Sequence, residues 1–81
     1  MKTKTYTVLV IEDEELLLNA IDRKLKLNGL SVIATTSGTE ALKMLNTAKK
    51  LPDVIWLDYY LNDMNGLEFM NILRKNDNTI A

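Results

Sequence analysis

The chain has 81 residues, the length of one small domain at most. Ten basic against eleven acidic residues give a net charge of −1, so no excess of positive charge favours nucleic acid or an anionic membrane surface. The absence of cysteine and histidine excludes disulfide scaffolds, zinc ribbons, thiol nucleophiles and histidine-based triads or metal ligands. Chemistry must therefore rest on carboxylates, hydroxyls, lysine, arginine and the backbone.

No targeting or membrane segment is visible in the sequence. The apolar run Val8–Ile11 stops at four consecutive acids, and nothing approaches the ~20 apolar residues that a membrane helix needs. We therefore expect a cytoplasmic protein without a membrane partner.

Three short apolar runs have the composition of β-strands. They are Thr5–Ile11, Leu30–Thr35 and Val54–Leu57. The first and third end in apolar residues without alternation, which is typical of parallel strands covered on both faces. Trp56, on the third run, is predicted to pack in the core or beside a site.

A helical pattern follows the first strand, from Glu14 to Asn28. Leu17, Ile21 and Leu25 form one apolar stripe and are predicted to face the core. Gly29 fits the position that ends a helix in a left-handed conformation.

Two further helical patterns follow the second and third strands. Ser37 and Glu40 match a capping box, with Ser37 as the N-cap and Glu40 reaching back to it, and Pro52 lies beyond the end of that helix. The third helix is predicted to begin near Gly66, with Asn65 as N-cap and Glu68 three residues later. The predicted inward positions of the two helices are Ala41, Leu42, Leu45 and Ala48, and Phe69, Met70 and Leu73.

The order of elements is therefore βαβαβα. This alternation predicts the α/β class, with a parallel sheet, helices on both faces and right-handed crossover connections.

Two of the three predicted strands are followed directly by acidic residues. Glu12 and Asp13 follow the first strand, and Asp58 follows the third. Sites in open α/β sheets form at the carboxyl ends of the strands, so these carboxylates converge on one crevice if the two strands are neighbours. Their repulsion favours either a protonated carboxyl group or a bound cation. Hard oxygen ligands suit Mg²⁺ or Mn²⁺ rather than zinc.

Each acid also has an ordinary structural interpretation. Acids between Glu12 and Glu15 complement the dipole of a helix that begins there, and Asp58 alone fits an Asx turn. The joint pattern of an acid pair after one strand and an acid after another favours a site.

Three other phosphate-binding sites fit poorly. Glu12 and Asp13 occupy the turn where a Rossmann site needs glycines, and the chain has no P-loop sequence. The haloacid-dehalogenase-like phosphotransferases carry a second Asp two residues after the strand-end Asp, where this chain has Tyr60.

Four segments together resemble the receiver domain of two-component response regulators, which has a flavodoxin-like, doubly wound fold. They are Val8–Glu14, Ser37–Leu42, Pro52–Asp58 and Met64–Glu68, and a glycine stands eight residues after Asp58. The resemblance covers the whole chain and implies the strand order 2-1-3.

The resemblance implies a role for each acid. Asp58 is the expected acceptor of a phosphoryl group from a histidine kinase or phosphotransfer protein. Asp13 and Asp58 are the expected direct Mg²⁺ ligands, with the backbone carbonyl of Tyr60, while Glu12 acts through water. Such a protein is a regulator that is phosphorylated from a donor rather than a metabolic enzyme.

Two departures from the family pattern are visible. Asn62 stands where the family often has proline. The pattern also normally continues through a fourth strand ending in Ser/Thr and a fifth ending in Lys, so residues 1–81 are expected to be the N-terminal two-thirds of a receiver, impaired in switching. The alternative function is a receiver-like interaction module that is not phosphorylated. In either case we expect self-association through the third strand, Val54–Leu57, as an exposed edge.

Overall fold

The structure is a computed structural model that describes residues 4–76. The predicted order βαβαβα is confirmed, and the ends of the predicted domain, 1–3 and 77–81, lie outside these residues. Within residues 4–76, no helix is long and apolar enough to cross a lipid bilayer. The elements in chain order are β1 (Thr7–Ile11), α1 (Glu15–Leu27), β2 (Ser31–Thr35), α2 (Gly38–Thr47), β3 (Val54–Leu57) and α3 (Gly66–Asn76).

The strands form a parallel sheet in the order β2-β1-β3, as predicted. Val10 of the central strand lies opposite Ala34 of β2 and Trp56 of β3. Because β1 is central and all three strands run the same way, the residues that follow β1 and β3 meet at one edge of the sheet.

Side chains of β1 alternate between two apolar clusters, one on each face of the sheet. Leu9 and Ile11 point toward α2 and α3, where Phe69 is completely buried. Val8 and Val10 point toward α1 and pack with Leu18. The helices on both faces therefore fix the central strand, and with it the acids that follow.

The inward stripe of α1 differs from the prediction by one residue. Leu18 is 6% exposed, whereas Leu17 is 44% exposed. Ile21 and Leu25 pack against the core as predicted. The spacing from Leu18 to Ile21 and Leu25 also fits one helical face, and the three consecutive leucines 16–18 made the phase of the stripe ambiguous.

The C-terminus of α1 has the predicted left-handed glycine. Gly29 has φ +83°. Its amide donates to the Lys26 carbonyl at 3.0 Å, and the Leu30 amide donates to the Leu25 carbonyl at 3.1 Å. This pair of bonds is the Schellman motif, which satisfies carbonyls that the helix end leaves free.

Both predicted N-caps are confirmed, but only one of them belongs to a complete capping box. Asn65 and Glu68 exchange both bonds, at 2.8 and 2.9 Å. Ser37 Oγ accepts from the Glu40 amide at 3.1 Å. The Ser37 amide, however, donates to Thr35 Oγ1 at 3.3 Å, in place of the reciprocal bond to Glu40 that the capping box predicts.

Two residues are more exposed than predicted: Ala48, which was predicted to face the core, and Trp56, which was predicted to pack in the core or beside a site. Ala48 is the C-cap of α2, one residue past the helix, so the helical stripe does not extend to it. Trp56 is 46% exposed because β3 is an edge strand of the sheet in residues 4–76 and α1 covers only part of its face.

Candidate metal site

Backbone pairing places the acidic residues at the carboxyl edge of the sheet. The Glu12 amide donates to the Thr35 carbonyl of β2 at 3.1 Å, and the Asp58 amide donates to the Ile11 carbonyl of β1 at 3.0 Å. These bonds extend the pairing of β1 with β2 and of β3 with β1 by one residue beyond the end of each pair of strands. The first residues after β1 and β3 are therefore held in register with each other.

The structure brings Glu12, Asp13 and Asp58 together. One carboxylate oxygen from each lies within 4.8 Å of the other two. Glu12 is 6% exposed, whereas Asp13 and Asp58 are half-buried. The cluster thus has one acid in the protein interior and two at the surface of the crevice.

Burial raises the pKa of Glu12 above its ordinary value of 4.5. The neighbouring carboxyl groups of Asp58 and Asp13 act in the same direction, while the Glu14 amide, which donates to Glu12 Oε2 at 3.1 Å, acts against it. The ionised form of Glu12 is therefore disfavoured at this site unless a positive charge is added.

Asp58 is also held by the turn that it begins. Its Oδ1 accepts a hydrogen bond from the Tyr60 amide at 3.3 Å, which is the Asx-turn interaction considered from the sequence. The Asx turn and the acid cluster therefore coexist in one residue. The bond restricts the orientation of the carboxylate without using its second oxygen.

Tyr60 lies in a narrow antiparallel pairing with Asn65. The bonds on either side of it run from the Gly66 amide to the Tyr59 carbonyl at 2.7 Å and from the Leu61 amide to the Met64 carbonyl at 3.2 Å. The Tyr60 carbonyl takes no part in these two bonds, so this pairing leaves it available as an oxygen ligand.

The donor set fits a hard divalent cation. Three carboxylates converge, and the two ion pairs found within residues 4–76, Lys4–Asp53 and Lys26–Asp22, do not involve the cluster. Oxygen ligands of this kind fit Mg²⁺ or Mn²⁺ and do not resemble the nitrogen and sulfur sites of zinc.

A further acid on the loop that follows Asp58, Asp63, has a role that the sequence did not predict. Its carboxylate accepts bonds from Ser37 Oγ at 3.1 Å, the Gly38 amide at 3.2 Å, and both the amide and Oγ1 of Thr39 at 2.8 Å. The Thr39 amide is the largest of the influences that lower the pKa of Asp63 to about 2. Two features of the sequence could have indicated this contact: an acid in the loop after β3, and the N-terminus of α2, which favours negative charge.

Comparison with known proteins identifies the family. The profile of the response regulator receiver domain matches residues 8–81. The transcriptional regulatory protein PhoP of Bacillus subtilis is 38% identical over 68 residues, covering 84% of this chain and 28% of PhoP. The sensor histidine kinase CheAY of Helicobacter pylori is 36% identical over 70 residues, covering 86% of this chain and 9% of CheAY. The chain thus spans less than a third of the length of these two relatives.

Solved structures give the same result. The Francisella response regulator 1452 receiver domain has a TM-score of 0.80 and 32% identity, over 88% of this chain and 57% of that one. The response regulator TrrA of Thermotoga maritima, solved in complex with Mg²⁺-BeF, has a TM-score of 0.80 and 26% identity, over 91% and 63%. With its 2-1-3 parallel sheet and acidic edge, the chain belongs to the response regulator receiver domain family of two-component systems.

Proposed function

We propose that this chain is the phosphoacceptor module of a two-component phosphorelay, in which Asp58 receives the phosphoryl group. The observation that carries the proposal is the meeting of Glu12, Asp13 and Asp58 at the carboxyl ends of adjacent strands. Membership of the receiver family supports the same assignment. The donor is a histidine kinase or a phosphotransfer protein, and the location is the cytoplasm.

The proposed metal is Mg²⁺ or Mn²⁺. Asp13, Asp58 and the Tyr60 carbonyl would hold it directly, and Glu12 would act through water. The Mg²⁺-BeF complex of the related TrrA supports this assignment. When bound, the cation would offset the charge of the carboxylates and of the phosphoryl oxygens.

The proposed transfer is a displacement at phosphorus. One carboxylate oxygen of Asp58 forms a bond to phosphorus while the bond from phosphorus to the donor's imidazole nitrogen breaks, and its electron pair stays on the nitrogen. The Tyr60 amide orients Asp58 for this attack. Asp58 suits the role because it is half-buried at the crevice, whereas Glu12 is nearly inaccessible.

Under this proposal, residues 1–81 correspond to the N-terminal two-thirds of a receiver domain. The match to 57% of the Francisella receiver supports this correspondence. The switch hydroxyl and phosphate-binding lysine implied by the family pattern have no counterpart after β1, β2 or β3, so we propose that this chain alone switches poorly.

Intact mass spectrometry tests the acceptor directly. We expect the chain incubated with phosphoramidate to gain one phosphoryl group when Mg²⁺ is present and none when it is chelated. Asp58→Asn should gain none, whereas Asp53→Asn, at the start of β3 and away from the cluster, should behave as the wild type. A folded wild type that gains no phosphoryl group, or an equal gain in Asp58→Asn, would contradict the proposal.

The edge of the sheet supports a second candidate function, a receiver-like interaction module that is not phosphorylated. Within residues 4–76, β3 pairs only with β1, and Val54 and Trp56 are 53% and 46% exposed. A second copy of the chain could pair along this edge and cover those side chains. In both candidates we propose self-association through β3.

Light scattering tests the self-association. We expect a dimer mass for the wild type and a monomer mass for Trp56→Lys, because the added charge opposes pairing at the edge. Lys43→Glu, at an exposed position of α2 on the other face of the sheet, serves as the control and should remain dimeric. A monomeric wild type with a native circular dichroism spectrum would count against the interface.

A further inference from the structure

We infer that Asp63 is a positioning residue that fastens the loop after Asp58 to the N-terminus of α2. We call residues 58–65, between β3 and α3, the acceptor loop. The inference rests on the proposed function, since it takes Asp58 to be the phosphoacceptor.

The Asp63 carboxylate completes the N-terminus of a helix to which it is not adjacent in sequence. The first amides of a helix have no partner within the helix. Ser37 Oγ accepts a hydrogen bond from the Glu40 amide. Asp63 Oδ1 accepts from the Gly38 amide, and Asp63 Oδ2 accepts from the Thr39 amide. Asp63 therefore supplies a cap from the acceptor loop that the local sequence of α2 does not supply.

Close packing accompanies these hydrogen bonds. A Cβ atom placed on Gly38 would lie 2.9 Å from Met64 Cγ and 3.3 Å from Leu61 Cδ1. Leu61 is buried in the larger core cluster. Residues on both sides of Asp63 therefore press against the same turn of α2, and the contact extends beyond one carboxylate.

The acceptor loop transmits this attachment to Asp58. Within the loop, the Leu61 amide donates a hydrogen bond to the Met64 carbonyl. This bond closes residues 61–64 into a turn that we expect to move as one unit. The Tyr60 amide, next to this closed segment, donates to Asp58 Oδ1 at 3.3 Å. A loop that leaves α2 would therefore lose one of the restraints that hold the Tyr60 amide against the proposed acceptor.

The chemistry of Asp63 suits a permanent attachment. Its pKa of about 2, set first by the Thr39 amide, keeps the carboxylate ionised at any pH at which the chain is expected to work. The attachment is lost only as the pH falls toward 2. Loss of the side chain should therefore slow phosphorylation by the same factor across pH 5–8.

Two variants of Asp63 and one control test the inference in the full chain. Asp63→Ala removes all four bonds, and Asp63→Asn keeps a neutral acceptor. Asp53→Ala is the control, because Asp53 also accepts a backbone amide, from Thr7 at 2.8 Å, but lies at the opposite end of β3. The readouts are hydrogen exchange of residues 59–66 without Mg²⁺ or donor, and the rate of phosphorylation by phosphoramidate with Mg²⁺.

We expect Asp63→Ala to exchange the Leu61 and Gly66 amides faster and to be phosphorylated at least about tenfold more slowly, because small displacements of a reacting group have large effects on rate. Asp63→Asn should recover part of both properties, and Asp53→Ala should match the wild type. If Asp63→Ala does not fold, Thr39→Val, which removes one of the four donors, should show the same changes to a smaller extent.

A folded Asp63→Ala with wild-type exchange in the acceptor loop would overturn the inference. Faster exchange with an unchanged phosphorylation rate would overturn the positioning role. If the wild type itself is not phosphorylated, the proposed function fails, whereas the hydrogen exchange of the variants still decides whether Asp63 holds the loop.

Discussion

Gly66 lies directly against the backbone of Tyr59. Its amide donates a 2.7 Å hydrogen bond to the Tyr59 carbonyl, and a Cβ atom on Gly66 would lie 3.3 Å from Tyr59 Cα. Tyr59 is the neighbour of Asp58, so the first residue of α3 sets the position of the chain beside the proposed acceptor.

We therefore expect Gly66→Ala to lower the free energy of unfolding by about 1–3 kcal/mol, the usual range for overpacking. The methyl group would meet backbone, which cannot rotate away. Asn71→Ala, at an exposed position of α3, is the control and should lose no more than about 0.5 kcal/mol. Urea unfolding measures both variants, and an equal loss would contradict this account.

The buried carboxyl group of Glu12 should make stability depend on pH. The folded chain has a raised Glu12 pKa, so it binds a proton that the unfolded chain has already released above pH 4.5. The contribution of Glu12 is most favourable below pH 4.5 and is lost as the pH rises through the folded pKa. Glu12→Gln has no carboxyl group to ionise at this position, so it does not lose stability in this way as the pH rises. Its amide oxygen still accepts a hydrogen bond from the Glu14 amide.

Glu12→Gln should therefore be more stable than the wild type at pH 7, by on the order of 1 kcal/mol, because it avoids the burial of an ionised carboxylate and its repulsion by Asp58 and Asp13. The difference should shrink as the pH approaches 4.5. Urea unfolding between pH 4 and pH 7.5 measures it, with the exposed Glu40→Gln as control. A difference that does not change with pH would contradict the role of Glu12 ionisation.

Divalent cations should stabilise the chain through the acid cluster. At a Mg²⁺ concentration ten times the dissociation constant, we expect about 1.4 kcal/mol of added stability from mass action. Asp13→Asn and Asp58→Asn should lose most of this gain. Asp22→Asn, whose carboxylate pairs with Lys26 on α1, should keep it. Thermal unfolding with and without Mg²⁺ measures the gain, and an equal gain in all variants would place the cation elsewhere.

The larger core cluster depends on Phe69, which is completely buried. We expect Phe69→Ala to lower stability by about 3–5 kcal/mol, enough to unfold much of so small a domain. Ile72→Ala, on the partly exposed side of α3, should lose less than about 1.5 kcal/mol. Circular dichroism during urea unfolding compares the two, and similar losses would show that Phe69 is not central to the core.

The strands and the parallel α/β class could be predicted because their signals are local, whereas the strand order 2-1-3 was implied by the resemblance to the receiver family. The apolar run before Glu12 predicts a buried parallel strand, and the acids after β1 and β3 predict where a site forms. Which of Leu17 and Leu18 lies on the inner face of α1 could not be predicted from the sequence, since both are apolar and only packing against Val8 and Val10 decides between them.

Asp63 could not be assigned from its neighbours in sequence. Its partners, Ser37, Gly38 and Thr39, belong to a helix that comes earlier in the chain. A carboxylate in a loop is compatible with a turn, a solvent-exposed side chain or a cap on another element, and only the fold distinguishes these. The same holds for Ser37, whose amide bonds to Thr35 of the preceding strand rather than to Glu40.

The central position of β1 has a consequence for how the chain comes to fold. Asp13 is made early in synthesis and Asp58 much later, and the two meet only when β3 pairs with β1. Docking of β3 is therefore the step at which like charges are brought together, and the complete cluster forms only then. A cation that binds to the cluster should mainly lower the rate of unfolding, because β3 separates from β1 in that step. It should change the rate of folding little, because the cluster is absent until β3 docks.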